Sequence, residues 1–400
     1  MSYLSLVRRE VTGLWAGGTG KTLIAIALGW GLLNGTRMIY PVLLPYFSED
    51  FGLTLTTAGL LVTIIWLCYA IGQVPGGVLA DRLGERKILT ASVSFVIVGV
   101  SLVLVAPTAL TLFVATGVIG LGLSQYPIAR ITALSELYPD RIGRALGVTM
   151  ASGDIGQTIL PPVASVLAVG VAWQFGLGFV LPLLCLTVAV IWLTLPKHDS
   201  GTQDADDLSS EHVTYVFSEL REPRFVIIGV ILFLFIFVWQ TFSAFYPTYL
   251  VSEKGLSTTV AGTLFGLFFA VGVVAKPAAG MAYDRIGLRG SLPIVLGGSI
   301  VGLFVLPFVE GIWTLVGVTV LISTMLGSGA VTQSYLAEAI PPDIQGTGLG
   351  LIRSSASMLG ATGPVLFGLI AERGYFDEGY VILAVLVGIV TLLTLLMPRE

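Results

Sequence analysis

Four charged residues stand inside stretches of this chain that are otherwise apolar: Arg37, Asp154, Lys276 and Arg353. Near mid-bilayer each costs about 2.5–3.5 kcal/mol on an insertion scale, so each needs a counter-charge, a wet cavity or a route to the interface. Arg37 is central in its run, and Asn34 and Tyr40 fall one turn either side on the same broad helical face. It can form a buried pair with Asp154 or offer its guanidinium to an anion. Asp154, with Gln157 one turn on, is either that partner or a group that takes up a proton, because low dielectric favours the neutral form of a carboxyl. Lys276 and Arg353 each lie about two turns from a charged segment. There a long side chain can snorkel to the interface, or add to the positive lining of a cavity.

The elements that must position these residues are membrane spans. Apolar side chains make up 55% of the 400 residues and charged ones 11%, and mean hydropathy is +0.93; globular domains carry about 25% charged residues. Twelve runs are long enough to cross a bilayer, which takes roughly 20 residues: 22–47, 57–79, 88–106, 109–130, 144–168, 171–195, 224–249, 258–282, 291–309, 312–335, 346–370 and 377–397. In hydrocarbon the backbone must satisfy its own hydrogen bonds, so an all-α membrane protein is expected, and 49 glycines suit close helix contact in lipid. The first run lacks a cleavage signal and reads as a retained span.

Little else competes. Cys68 and Cys185 sit in apolar runs as small hydrophobes. Gly17-Gly-Thr-Gly-Lys-Thr22 lacks the first glycine of a phosphate loop, where Trp15 stands, so Lys21 reads as a topological anchor. The two histidines, His198 and His212, lie in an acidic stretch between Pro196 and Pro223 that reads as a flexible linker. No metal-spaced set, cofactor motif, nucleophile triad or basic nucleic-acid surface is present, so no enzyme and no cofactor is expected.

The chain is doubled. Gly77-Val-Leu-Ala-Asp-Arg-Leu-Gly-Glu-Arg-Lys87 returns as Gly280-Met-Ala-Tyr-Asp-Arg-Ile-Gly-Leu-Arg-Gly290, with Asp81 and Asp284 203 residues apart. The same offset relates Arg82 to Arg285, Gly84 to Gly287, Asp140 to Asp343, Gly147 to Gly350 and Pro161 to Pro364. The halves divide as a lead over 1–21, a first six-helix unit over 22–195, a linker over 196–223 and a second unit over 224–400. With both termini on one side, fifteen Lys and Arg residues at or beyond the span ends share that side, against Lys254 and Arg373 on the other. This excess places both termini in the cytoplasm.

The charged turn at 77–87 matches in full the loop signature Gly-x-x-x-Asp-Arg-x-Gly-x-Arg-Lys, and its second copy departs only at Gly290. With twelve spans split by a cytoplasmic linker, the chain resembles the major facilitator superfamily over nearly its whole length. The resemblance implies a monomeric secondary transporter in the plasma membrane, built of two six-helix bundles with inverted three-helix sub-repeats. The bundles would rock about a central site for a small molecule. It implies a cytoplasmic gate in which Asp81 faces the start of the eleventh helix near Gly346, and Asp284 faces the fifth near Gly143. Gly77, Arg82, Gly84, Arg86, Arg130, Glu136, Gly280 and Arg285 belong to that gate. It implies too that the first helix lines the cavity, which makes Arg37 the expected substrate contact, with Asn34, Tyr40, Gln240 and Trp239 around it.

Asp154 is the expected coupling residue, for protons if there is coupling, and Lys276 and Arg353 are expected cations of the cavity wall. Three intramembrane cations against one acid favour an anionic substrate. Two known subgroups fit incompletely: organophosphate exchangers carry a second Arg where Gln240 stands, and drug/proton antiporters an Arg where Thr116 stands. The alternatives are an exporter of drugs or lipophiles and, from another class, a non-transporting membrane sensor.

Overall fold

The computed structural model describes residues 19–196, 219–341 and 345–397. Most of the lead and of the acidic linker lie outside these, as do the side chain of Asp81 and the surroundings of Gly77 and Gly346. The described chain is helical throughout, with no strand assigned. We label the rods α1 (Gly20–Phe51), α2 (Leu55–Leu83), α3 (Glu85–Leu104), α4 (Ala109–Leu137), α5 (Ile142–Gly170), α6 (Trp173–Thr194) and α7 (Pro223–Ser252). Thr258–Val305 runs on as one element but breaks at Gly287, dividing it into α8 and α9. Then come α10 (Ile312–Ala339), α11 (Gln345–Gly360 and Gly363–Glu372) and α12 (Phe376–Leu396).

Ten described helices are long and apolar enough to cross a membrane. The sequence expectation of twelve is reached only by dividing Thr258–Phe308 at Gly287 and by admitting α5. That helix carries Arg144, Asp154, Pro161 and Pro162, and is too polar to count by composition alone.

The doubled charged turn has a backbone reason. Gly84 has φ 81° and Gly287 has φ 62° with ψ −174°. A Cβ disfavours this region strongly, so glycine recurs at both corners where one rod reverses into the next.

Helices α1–α6 pack chiefly on one another, and α7–α12 do likewise. Within the first set, α1 and α5 cross so closely that a Cβ at Gly156 would collide with the Gly31 carbonyl. Beside that crossing Ser152 donates to the Ala27 carbonyl (2.6 Å), and Tyr126 of α4 donates to that of Ile26 (2.9 Å). Such small residues and interhelical hydrogen bonds hold helices together where lipid removes the hydrophobic drive. The second set is fastened by aromatics instead: Phe242 stacks on Tyr246, whose hydroxyl meets Thr319 at 2.5 Å, and Tyr249 donates to Asp377 at 2.5 Å.

The two sets meet at one end. There α2 lies against α11 and α5 against α8. Cβ atoms at Gly59 and Gly368 would collide with the backbone of Pro364 and Leu55, and one at Gly266 would stand 2.6 Å from the Thr158 carbonyl oxygen. The Thr56 amide donates to Glu372 (3.0 Å), and the Val365 amide to Thr63 (3.3 Å). At the opposite end, which carries both charged turns, a Cβ at Gly143, Gly147, Gly280 or Gly350 would meet nothing within 4 Å. The cleft between the sets therefore opens toward the charged turns.

This geometry separates two superficially similar substitutions. Gly287→Ala should lower the melting temperature of the purified protein, because forcing an alanine to φ 62° costs about 1–3 kcal/mol. Gly280→Ala, on ordinary helical backbone with open space around it, should leave it unchanged or raise it slightly.

Candidate functional site

Arg37 sits in the middle of α1 and is 8% exposed. A short stripe on one face of that helix, Trp30 to Arg37, holds it: its Nη2 donates to Asn34 Oδ1 (2.8 Å), and Asn34 Nδ2 donates to the Trp30 carbonyl (2.8 Å). The guanidinium lies over two rings of α2, with Cζ 4.1 Å from the centroid of Trp66 and 5.2 Å from that of Tyr69. Cation–π contacts of this kind contribute about 2 kcal/mol when desolvated. They offset only part of the cost of burying the charge, which runs to several kcal/mol. Among the described residues no carboxylate lies within ion-pair distance of Arg37.

The opposite wall comes from α7. Trp239 meets Trp66 edge to face at 5.1 Å, which joins the two helix sets through the ring that carries Arg37. Gln240, beside it in sequence, is 2% exposed. Arg37 Nε, Trp239 Nε1 and Gln240 Oε1 are all buried without a hydrogen-bond partner. Two donors and one acceptor left unsatisfied cost about 1–3 kcal/mol each. Such a cluster is suited to a ligand that is itself both acceptor and donor, with an anionic group for the guanidinium.

Tyr40 does not join this cluster. It is fully buried, and its hydroxyl lies 3.2 Å from Thr116 Oγ1, so it ties α1 to α4. That also accounts for Thr116, which serves here as the tyrosine's partner. The pairing of Asp154 with Arg37 does not occur: its Oδ1 accepts from Lys276 Nζ at 2.5 Å, an ion pair that runs from α5 to α8 between the two sets. Lys276, expected to snorkel or line a wall, is held by that pair. Arg353 is exposed on α11.

Several of the expected gate residues lie at the surface. Asp284 and Arg285 are exposed, and nothing packs on Gly143, so the lock proposed between Asp284 and α5 is not engaged in this conformation. Arg82 and Glu136 are exposed as well. Arg86 lies 4.2 Å above the ring of Trp192 at the end of α6. Arg130 is the displaced one: it is 6% exposed and sits 4.0 Å over the ring of Trp30. Trp30 and Tyr69 were not singled out by sequence reasoning, and Trp66 only among the aromatics that permit a lipophilic substrate. Trp66 and Tyr69 stand three apart in the second span, a spacing that puts both rings on one face, but aromatic residues at helical spacing are common in any core.

The model of the Major Facilitator Superfamily matches residues 25–333 and 231–400. Among curated relatives, the sialic acid transporter NanX of Escherichia coli is 26% identical over 94% of this chain and 93% of its own length. A probable sulfoacetate transporter, SauU, of Cupriavidus necator is 28% identical over 90% and 89%. The fosmidomycin resistance protein of Escherichia coli is 25% identical over 94% and 92%. Of solved structures, the nucleoside transporter NupG superposes with a TM-score of 0.82 at 13% identity, covering 94% of this chain and 100% of that one. A bacterial homologue of the lysosomal transporter Spinster, inward-facing and occupied, does so with a TM-score of 0.77 at 16% identity, over 94% and 96%. Doubled charged turn, all-helical fold and family match agree: the chain belongs to the major facilitator superfamily, as a multi-pass membrane transport protein rather than an enzyme.

Proposed function

We propose that this transporter moves a small organic or inorganic anion by rocking its two helix sets, 22–195 and 224–400, about the Arg37 cluster. The observation that carries the reading is a buried guanidinium held against two aromatic rings, without a carboxylate partner, at the level where the sets touch through Trp66 and Trp239. Arg37 would be the anchor, its Nε and Nη groups donating to the anionic end. Asn34 orients it, and Trp239 and Gln240 supply a donor and an acceptor to the remainder of the substrate. Relatives named for sialic acid and sulfoacetate transport support an acidic solute.

The fifteen-to-two excess of Lys and Arg supports a plasma-membrane orientation with both termini and both charged turns in the cytoplasm. On that orientation the described conformation is open inward and closed outward, where Glu372 accepts from the Thr56 amide at the start of α2. Alternating access then requires the seam of α2 with α11 to open while the charged turns close. We read the protein as a monomer, with the lipid bilayer as its only lasting neighbour.

The Asp154–Lys276 pair is where we place coupling. It crosses between the sets and is partly open to water, with side-chain exposures of 17% and 36%. Protonation of Asp154 would remove the attraction and release Lys276, so proton uptake and parting of α5 from α8 would occur together. A second reading, export of a drug, is favoured by the kinship with a fosmidomycin resistance protein and by the aromatic walls of the cleft.

Reconstituted protein tests both assignments. With sialic acid and sulfoacetate as probes, Arg37→Ala should abolish uptake. Arg37→Lys should retain a small fraction, because an ammonium cannot lie flat on Trp66 and donate in a planar fork at once. Unchanged uptake in Arg37→Ala would overturn the anion reading. Asp154→Asn should make accumulation indifferent to an imposed proton gradient while equal-pH exchange continues; accumulation that still follows the gradient would remove Asp154 from coupling.

A further inference from the structure

Arg130 is a second buried cation on the same wall, and the role proposed for Arg37 leaves it without a task. Its Nη1 donates to Thr149 Oγ1 of α5 (3.0 Å), its Cζ stands 4.0 Å over Trp30, and its Nε is buried with no partner. Like Arg37, it has no carboxylate within ion-pair distance among the described residues. The two guanidinium groups are linked through one short stripe of α1. Trp30 lies under Arg130, the Trp30 carbonyl holds Asn34, and Asn34 holds Arg37. Trp30 and Arg37 stand two turns apart on one face, about 10 Å along the axis. Tyr69 of α2 lies against Arg37, its ring centroid 5.2 Å from the Arg37 Cζ. Arg130 belongs to the half of α4 nearer the charged turns, so it stands on the open side of Arg37.

The sequence repeat sharpens the contrast. At the 203-residue offset Arg37 corresponds to Gln240, and Arg130 corresponds to Gln333. The first helix set thus carries cations at both places where the second carries amides. A glutamine at position 130 could bond Thr149 and tie α4 to α5 without burying a charge. Two unpaired guanidinium groups, each laid on a ring and each with an idle Nε, fit a wall that expects two negative charges.

We propose that Arg130, Thr149 and Trp30 form a second anion seat, and that the preferred substrate is a short organic acid with two acidic groups, one at Arg37 and one at Arg130. This rests on the anion reading of the Arg37 cluster and specifies its substrate class. The first group accepts from the Arg37 guanidinium above Trp66. The second accepts from Arg130 beside Thr149, and the carbon chain between them runs past Asn34 and Tyr69. A monoacid fills one seat and leaves the other charge uncompensated.

The test uses the purified full-length protein in detergent and thermal shift to read dissociation constants. The probes are succinate, glutarate and adipate, each beside its monomethyl ester, with sialic acid and sulfoacetate as further anions. At least one diacid should bind about tenfold more tightly than its own ester, the size of one charge-assisted hydrogen bond. Arg130→Gln should erase that ratio while leaving ester binding nearly unchanged, and Arg37→Gln should weaken diacid and ester alike. Should Arg130→Gln not fold, Arg130→Lys decides, since a compact ammonium off the Trp30 ring should reduce the ratio. Equal binding of diacid and ester by the wild type, or a ratio that survives the Arg130 variants, overturns the second seat and leaves the Arg37 reading standing. If none of these anions binds the wild type, it is the Arg37 reading that fails.

Discussion

A guanidinium buried in a lipid-spanning helix without a counter-ion is the condition around which this molecule is arranged. Hydrocarbon tolerates such a charge only where something else carries part of the cost. Here two rings of α2 and one amide oxygen of α1 do so, and on the proposed reading an anionic substrate supplies the rest. Trp239 of α7 meets Trp66 edge to face at the same depth. Arg37 and Asp154 are not partners: the acid is engaged with Lys276, which on that reading leaves the guanidinium for the substrate.

The two ends of the cleft are built from different materials, and the difference suits motion. At the closed end the seam is made of glycines, proline carbonyls and single hydrogen bonds, with α2 and α11 as close as backbones can approach. Contacts of that kind are numerous and individually weak, so they can part together. The other end carries charges on short turns, whose attraction acts over longer distances and is screened by water and salt. On the proposed rocking mechanism, small packed residues on one side and charges on the other would provide two closures of different physical character, with the Asp154–Lys276 pair and the two tryptophans between them.

Within each set the fastening differs too. Gly31, Gly156, Ser152 and Tyr126 bind the first set through backbone proximity and hydroxyl-to-carbonyl bonds. The second relies on a cluster of phenylalanine and tyrosine rings near its closed end. Arg37 and the rings it touches belong to the glycine-tight set, and the other set brings Trp239 to the edge of Trp66.

Much of this was legible before any coordinates. Composition and run length determine that the chain is helical and membrane-embedded, because hydrocarbon leaves the backbone no alternative. The 203-residue repeat determines the division into halves, and the paired glycines at 84 and 287 mark corners that only glycine turns easily. Helical spacing could name Asn34 as the neighbour of Arg37, and the structure joins the two by a hydrogen bond. Partners across helices were not legible. That Asp154 reaches Lys276, that Tyr40 turns to Thr116, and that Arg130 lies over Trp30 rather than at the membrane face depend on how rods far apart in sequence rotate and tilt against each other. Spacing along a chain tells which face of a helix a residue occupies. Only the packed structure decides what that face meets, since the glycine contacts that set each crossing angle are made between helices and not within them.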